Sequence, residues 1–312
     1  MTMTVRTPYV SVCLPVYNGE LYIHDAIASV LQQSFEDFEL IISDNASTDK
    51  TADICHEFTG CDDRVRYFRS DVNCGIALNH NRAFKCARGR YSMWFGHDDL
   101  LAKEYLGRCI EAIEQDRELV LCFTNTNHID DNGNLLRRVD MANPAASDRP
   151  SKRFQNTLHQ VPLDAMVYGL IRTEVLNQTF LHGGFEGSDR VLLAELALRG
   201  RFGLIPDYLF ARRLHPLKTS TRYSDSRELT LVIDPTKAGK IFLPVLLKAF
   251  AFLSAIHRAK LPARESYRCY KHLLGWLWQQ RFIVKEDVCI ALNSIVRQHL
   301  SLNQQRKDTS TR

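Results

Sequence analysis

Tyr9-Val-Ser-Val-Cys-Leu14 and Phe38-Glu-Leu-Ile-Ile-Ser43 are two short apolar runs rich in β-branched residues. Between them, Glu20–Gln33 places Leu21, Ile23, Ala26, Ile27, Val30 and Leu31 along one helical stripe. A strand, a helix and a second strand in this order form a βαβ unit, and the alternation continues. Asp44 opens a polar turn into a helix over Thr48–Phe58, whose start is marked by Ser47, Thr48 and Asp49. Val65–Arg69 reads as a third strand, Gly75–Ala87 as a helix, Tyr91–Phe95 as a fourth strand, Leu101–Gln115 as a helix and Leu119–Thr124 as a fifth strand. The pattern predicts an α/β fold, a mostly parallel sheet flanked by helices. Ligands of such sheets bind beyond the carboxyl ends of the strands. The residues there are Pro15-Val-Tyr-Asn18, Asp44-Asn45, Asp71-Val-Asn73 and Gly96-His-Asp-Asp99.

The pattern weakens after Asn125. Asp130-Asp-Asn-Gly133 is a hairpin turn signal. Arg137–Pro162 is polar and irregular, with prolines at 144, 150 and 162, and reads as a loop or lid. Met166–Arg172 reads as a strand and Val191–Leu198 as a helix; beyond Ser226 the composition turns helical, and Leu302–Arg312 reads as a frayed tail. The expected division is an α/β domain over 1–225, with halves over about 1–105 and 106–225, followed by a helical C-terminal extension over 226–312.

With 312 residues, the chain suits one large or two modest domains. Hydrophobic residues at 45% and charged residues at 24% exclude a disordered, collagenous or coiled-coil chain. A net charge of +4 without a basic stripe gives no footprint for nucleic acid. The nine cysteines include no C-x-x-C pair and several stand within apolar runs, which reads as small buried hydrophobes in a reducing compartment and gives no zinc site. The N-terminus carries no secretory signal pattern, and no apolar window is long enough to span a bilayer. A cytoplasmic protein is expected. Ile241–Ile256, apolar but interrupted by Pro244 and Lys248, has basic residues around it. It suits either an interfacial helix in peripheral contact with a membrane or a helix packed on the catalytic domain or on a second copy in a homodimer.

Several residues at the strand ends carry chemistry, each with a plainer reading beside it. Asp98 and Asp99 together suit a hard divalent cation bridging to phosphate oxygens; Asp99 equally suits a cap for a helix starting at Leu100. Asp44 suits a hydrogen bond to a base or ribose, or an Asx-turn. Asp189, after Gly183 and Gly184, suits a general base or a helix N-cap. Arg212, Arg213 and His215 suit phosphate recognition, with His215 also able to ligate a metal, or a solvated surface patch. There is no G-x-G-x-x-G, P-loop or G-x-S-x-G motif.

Taken in order, these blocks resemble an inverting glycosyltransferase of family 2 with the GT-A fold. Val10-Ser-Val-Cys-Leu-Pro-Val-Tyr-Asn18 resembles the family's opening strand, and Phe38–Thr51 its second strand and Asp-Asp-Gly-Ser-x-Asp turn. Asn73-x-Gly75, Asn81 and Gly89-x-Tyr91 resemble the next block, and Gly96-His-Asp-Asp99 falls where the Asp-x-Asp motif ends. Val167–Arg172, Ser188–Leu196 and Arg213-Leu-His215 resemble the later acceptor-side and Arg-x-His elements.

The resemblance implies a nucleotide-diphosphate sugar donor, a sugar or lipid-linked sugar acceptor, and a role in cell-surface polysaccharide or glycolipid assembly. It implies a divalent cofactor, Mn²⁺ or Mg²⁺, on Asp98 and His215. Pro15, Tyr17, Asn18, Asp44, Asn81, Asp98, Arg213 and His215 would hold the donor, and Asp189 would be the base. Two departures stand out. Gly96 replaces the first carboxylate of the metal motif, and Asn45-Ala46 replaces Asp-Gly in the nucleotide turn. The first motivates an alternative, a catalytically weak scaffold that binds nucleotide sugars. A nucleotidyltransferase is disfavoured because PVYNGE stands where its basic, Gly-rich signature belongs.

Overall fold

A computed structural model describes residues 7–159, 165–218, 222–223 and 225–292. The tail Leu302–Arg312 and the last residues of Arg137–Pro162 lie outside the described residues. Strands β1 (Val10–Val16) and β2 (Phe38–Asp44) are buried along their whole length, which is why they read as unbroken apolar runs. They pair in parallel, with β3 (Val65–Arg69) beyond β2 and β4 (Tyr91–Trp94) beyond β1. The connecting helices are α1 (Ile23–Leu31), α2 (Thr51–Cys61) and α3 (Ile76–Lys85). In α1, Ile23, Ala26, Ile27 and Val30 face inward at helical spacing. The parallel register sets Val16 beside Asp44 and Asp44 beside Arg69, so the polar clusters after these strands gather along one edge.

Beyond β4 the sheet becomes mixed. The further strands are β5 (Leu100–Leu101), β6 (Leu119–Ile129), β7 (Leu135–Val139), β8 (Leu170–Arg172) and β9 (Arg201–Arg213). The order is β3-β2-β1-β4-β8-β6-β9-β5, with β7 beside β6. β8 runs antiparallel to β4 and β6, while β6 and β9 are parallel. The parallel strands thus lie in the first part of the chain, and the mixed ones beyond it. Helices α4 (Tyr105–Gln115), α5 (Pro150–His159), α6 (Thr173–Leu176) and α7 (Ser188–Arg199) flank the rest.

Three expectations are corrected. Met166–Arg172 is a strand only over Leu170–Arg172, because Met166–Tyr168 forms a turn of 3-10 helix. Leu101 does not begin a helix: Leu100–Leu101 pairs with Phe210 and Ala211 of β9, and α4 starts at Tyr105. Arg137–Pro162 is not irregular throughout, because it contains the end of β7 and all of α5. Basic residues in α5 made it look like surface, yet Arg153 is 5% exposed and donates to the carbonyls of Ala197, Ser147 and Asp148. The hairpin turn forms as expected: the Asp130 carboxylate accepts from the Asn132 and Asn134 amides, and Gly133 takes φ +85°.

The C-terminal helices are α8 (Ser226–Ile233), α9 (Pro244–Arg258) and α10 (Ala263–Gln279). Val245, Ala249, Phe252, Ala255 and Ile256 of α9 pack with Phe154 and Leu158 of α5 and Val191, Ala194 and Leu198 of α7. Burial of each large side chain there stabilises by roughly 1.5–3 kcal/mol. The apolar face of Ile241–Ile256 is thus covered by α5 and α7, with Phe250 and Leu253 left exposed. α8 rests on Gly75, whose φ of +85° and lack of a Cβ are both required, because a Cβ would stand 2.5 Å from the carbonyl oxygen of Ile233. No helix among the described residues is long and apolar enough to cross a membrane.

Candidate active site

β4 ends in the turn Gly96–Asp99, closed by the Asp99 amide on the Gly96 carbonyl at 3.3 Å. The turn folds both carboxylates back over Gly96. A Cβ there would lie 2.8 Å from Asp99 Oδ2 and 2.9 Å from Asp98 Oδ1. In this conformation residue 96 is therefore glycine for space, which gives the missing carboxylate a reason other than loss of function. The helix-cap reading of Asp99 is excluded, since a strand follows.

The end of β9 supplies the partners. Arg213, at 2% exposure, donates from Nε to the Asp98 carbonyl and from Nη1 to the carbonyls of Asp130 and Asp131. Its backbone amide donates to Asp99 Oδ1 at 3.0 Å, and its guanidinium lies over the Tyr22 ring. The surface-patch reading fails for this residue. Nε and Nη1 are committed to backbone carbonyls, so the arginine braces the turn; the phosphate contact implied by the resemblance would have to come from elsewhere on the guanidinium. His215 Nε2 lies 2.9 Å from Asp98 Oδ2, and its ring leans on Tyr22. Lys218, which carried no motif in the sequence, places Nζ 3.0 Å from Asp98 Oδ2 and 3.1 Å from Asp99 Oδ1. Its signal was the turn His215-Pro-Leu-Lys218, with proline at the second position.

Burial raises the Asp98 carboxyl, but the His215 bond, the neighbouring His97 and the Lys218 ammonium outweigh it and hold the group well below the usual range. Burial and then the Asp98 charge push Asp99 up. Asp99 Oδ2 and His215 Nδ1 are buried without a hydrogen-bond partner. A metal-bound histidine ordinarily anchors its second ring nitrogen. Here that nitrogen is unanchored, and Lys218 stands between the carboxylates. Asp98 and His215 do meet, as the resemblance implied. Yet among the described residues no three His, Cys, Asp or Glu side chains converge to hold a metal. This arrangement does not fit a divalent ion.

At the carboxyl ends of β1 and β2, the loop after β1 is laced to the loop after β2. The Asn18 amide donates to Ser47 Oγ and the Thr48 amide to Asn18 Oδ1, with Asn18 in the left-handed region at φ +51°. Pro15 is buried in β1, while Tyr17 is exposed. Asp44 is fully buried; it accepts from the Ser47 amide at 2.8 Å and the Tyr67 hydroxyl at 2.6 Å. Asp44 therefore holds its own turn, through the amide three residues on rather than the two of an Asx-turn, and a direct bond from this carboxylate to a base would require these partners to move. Asn45 donates to Asn73 Oδ1 and accepts from the Cys74 amide, a pairing in which a carboxylate could only accept. This accounts for the amide in the turn. Ala46 occupies a left-handed position, φ +64°, that would suit glycine. A cleft of about 410 Å³, lined by Arg69, Asp71, Leu78, Arg82 and Lys85, opens beside this framework rather than at Asp98.

Asp189 lies in the first turn of α7, and Gly187 rather than Asp189 occupies the N-cap position. The side chain reaches solvent, yet protein crowds it on its other sides. That crowding pushes its carboxyl above the usual range, against the Arg190 amide and charge. Burial and then the charges of Asp99, Asp98 and Asp189 push the Tyr168 phenol up. Asn81 pairs with the backbone of His182 in both directions, bracing the segment that leads to Asp189.

A glycosyl transferase family 2 model matches residues 11–180, more than half of the chain, and the chain belongs to that family. It is 36% identical over 134 residues to a putative teichuronic acid biosynthesis glycosyltransferase, TuaG, of Bacillus subtilis, covering 43% of this chain and 53% of that one. The chain spans about half the length of the first curated relatives it matches. Among solved structures, S. aureus TarS 1–349 in complex with UDP superposes with TM-score 0.60 at 18% identity, covering 87% of this chain and 71% of that one. The mannosyltransferase PcManGT of Pyrobaculum calidifontis, with GDP-Man and Mn²⁺, gives TM-score 0.51 at 14% identity over 94% and 87%. These likenesses establish the GT-A fold.

Proposed function

We propose that this chain transfers a sugar from a nucleoside-diphosphate sugar to an acceptor hydroxyl with inversion, in cell-surface polysaccharide or glycolipid assembly. The observation that carries the reading is the meeting of Asp98, His215 and Lys218 at the carboxyl end of β4. The nucleoside lies along the Asn18–Ser47 framework, with Tyr17 at its mouth. Asp44 acts from behind by fixing Ser47 and Tyr67. The diphosphate lies toward His215 and Lys218. Asp189 accepts the acceptor's proton as the hydroxyl oxygen displaces the nucleoside diphosphate in a single step; its raised pKa makes it a stronger base than an ordinary carboxylate. Relatives and fold neighbours named for polysaccharide assembly and nucleotide-sugar complexes support this substrate class.

On this reading the enzyme works in the cytoplasm, with peripheral membrane contact through Tyr267, Leu274 and Trp278 of α10, all exposed. Flotation with anionic liposomes checks that contact, and a full-length chain that stays unbound would remove it. The activity is tested by incubating the chain with a panel of nucleotide sugars and measuring nucleoside diphosphate release. Release from at least one donor, lost in Asp98→Asn, is expected; no release from any donor, with or without acceptor sugars, would overturn the reading.

A further inference from the structure

The carboxylate pair already holds a cation. Lys218 Nζ lies within 3.1 Å of Asp98 Oδ2, Asp99 Oδ1 and the Arg213 carbonyl, three acceptors for its three N–H donors. The turn that delivers it is closed by the Lys218 amide on the His215 carbonyl at 3.2 Å. The side chain is 14% exposed, so its charge is poorly screened. Arg213 adds a second buried positive charge against the Asp98 carbonyl. The two carboxylates thus share one fixed ammonium, while the Arg213 guanidinium is held on backbone carbonyls with Asp25 as its nearest carboxylate, so the pair's charge is already partly offset before any divalent ion arrives. A metal bound to these same oxygens would also stand close to the ammonium and be repelled by it.

We propose that Lys218 is the resident cation of the donor site: it stands between Asp98 and Asp99, offsets their charge toward the donor's diphosphate, and makes nucleotide binding independent of divalent metal. This rests on the donor reading above. Removing the lysine would leave two adjacent carboxylates that repel a diphosphate and attract a metal.

The test is calorimetric titration of the full chain with UDP, and with GDP in parallel, in EDTA and in Mn²⁺. Wild type is expected to bind one of them with closely similar affinity in both conditions. In EDTA, Lys218→Ala should bind roughly 30-fold more weakly, the order expected for truncating a buried charge partner. Lys218→Arg should stay near wild type, and Mn²⁺ should restore binding to Lys218→Ala. Thermal melting of each variant checks that the fold is intact, and the arginine variant keeps the test sound if the alanine variant does not fold. Wild-type binding that requires Mn²⁺, or Lys218→Ala binding like wild type in EDTA, overturns the role of Lys218 alone. No binding of either nucleotide in either condition overturns the donor reading and this proposal with it.

Discussion

His215 Nε2 and Asp98 Oδ2 stand 2.9 Å apart across 117 residues of sequence, so the end of β9 and the end of β4 make one site. The donor reading sets His215 against the diphosphate, and a hydrogen bond to a charged group is worth roughly 1.5–3 kcal/mol. His215→Gln should therefore weaken nucleotide binding about 10- to 100-fold while moving the melting temperature little, because Lys218 still pairs with Asp98. Titration calorimetry and a thermal melt on the same sample check this. An unchanged affinity would remove His215 from the donor site.

Asp189 gives the activity a pH signature. Its carboxyl lies above the usual range, chiefly because protein crowds it. The base form therefore fills at higher pH than for an ordinary carboxylate, and turnover should fall as pH drops through that raised value. Asp189→Asn should lower turnover about 10²–10⁴-fold with donor affinity retained. A kcat/KM profile whose acid limb sits at the ordinary carboxylate value of about 4 would contradict the assignment.

Arg258 of α9 forks onto Glu195 of α7, with Nε and Nη2 each 2.9 Å from a carboxylate oxygen, and Glu195 is 1% exposed. Breaking a buried pair costs more than the pair contributes, because one charge is left uncompensated. Arg199 remains 3.1 Å from Glu195, so Arg258→Ala should cost about 2 kcal/mol rather than the full 3–5. Urea denaturation should show the double variant Glu195→Gln/Arg258→Ala less destabilised than the sum of the singles. Additive effects would mean that the two residues do not interact.

His80 makes stability depend on pH. Burial holds its imidazole down to about 4, against the bond to the Ile76 carbonyl, whereas an unfolded histidine titrates near ~6.5. The unfolded chain therefore takes up this proton first. The penalty is absent above about 6.5 and grows as pH falls toward 4. Urea midpoints at pH 7.5, 5.5 and 4.5 should fall more steeply for wild type than for His80→Gln. Parallel curves would show that His80 plays no part.

The parallel strands were legible because buried parallel strands write themselves as apolar runs. Cys13, Ile41 and Trp94 sit in such runs, and the polar ends of β1, β2 and β4 followed directly. The mixed part of the sheet and its helices were less legible for physical reasons. α5 buries Arg153 through backbone carbonyls that no sequence pattern announces. Leu100–Leu101 is a two-residue strand whose partner lies more than a hundred residues away. Asp98, Asp99, His215 and Asp189 were found as motif positions, yet their plainer readings parted only in three dimensions. Asp99 caps no helix, while Asp44 does hold its own turn. Lys218 was missed because a single lysine after a proline carries no weight until the turn brings it to the carboxylates.

The most direct measurement is a crystal structure of the chain with UDP or GDP. The account predicts the diphosphate against His215 and Lys218 beside the Gly96–Asp99 turn, with the nucleoside along the loops joined by Asn18 and Ser47. A nucleotide seated instead in the cleft of Arg69, Arg82 and Lys85, with no phosphate near Asp98, would contradict it.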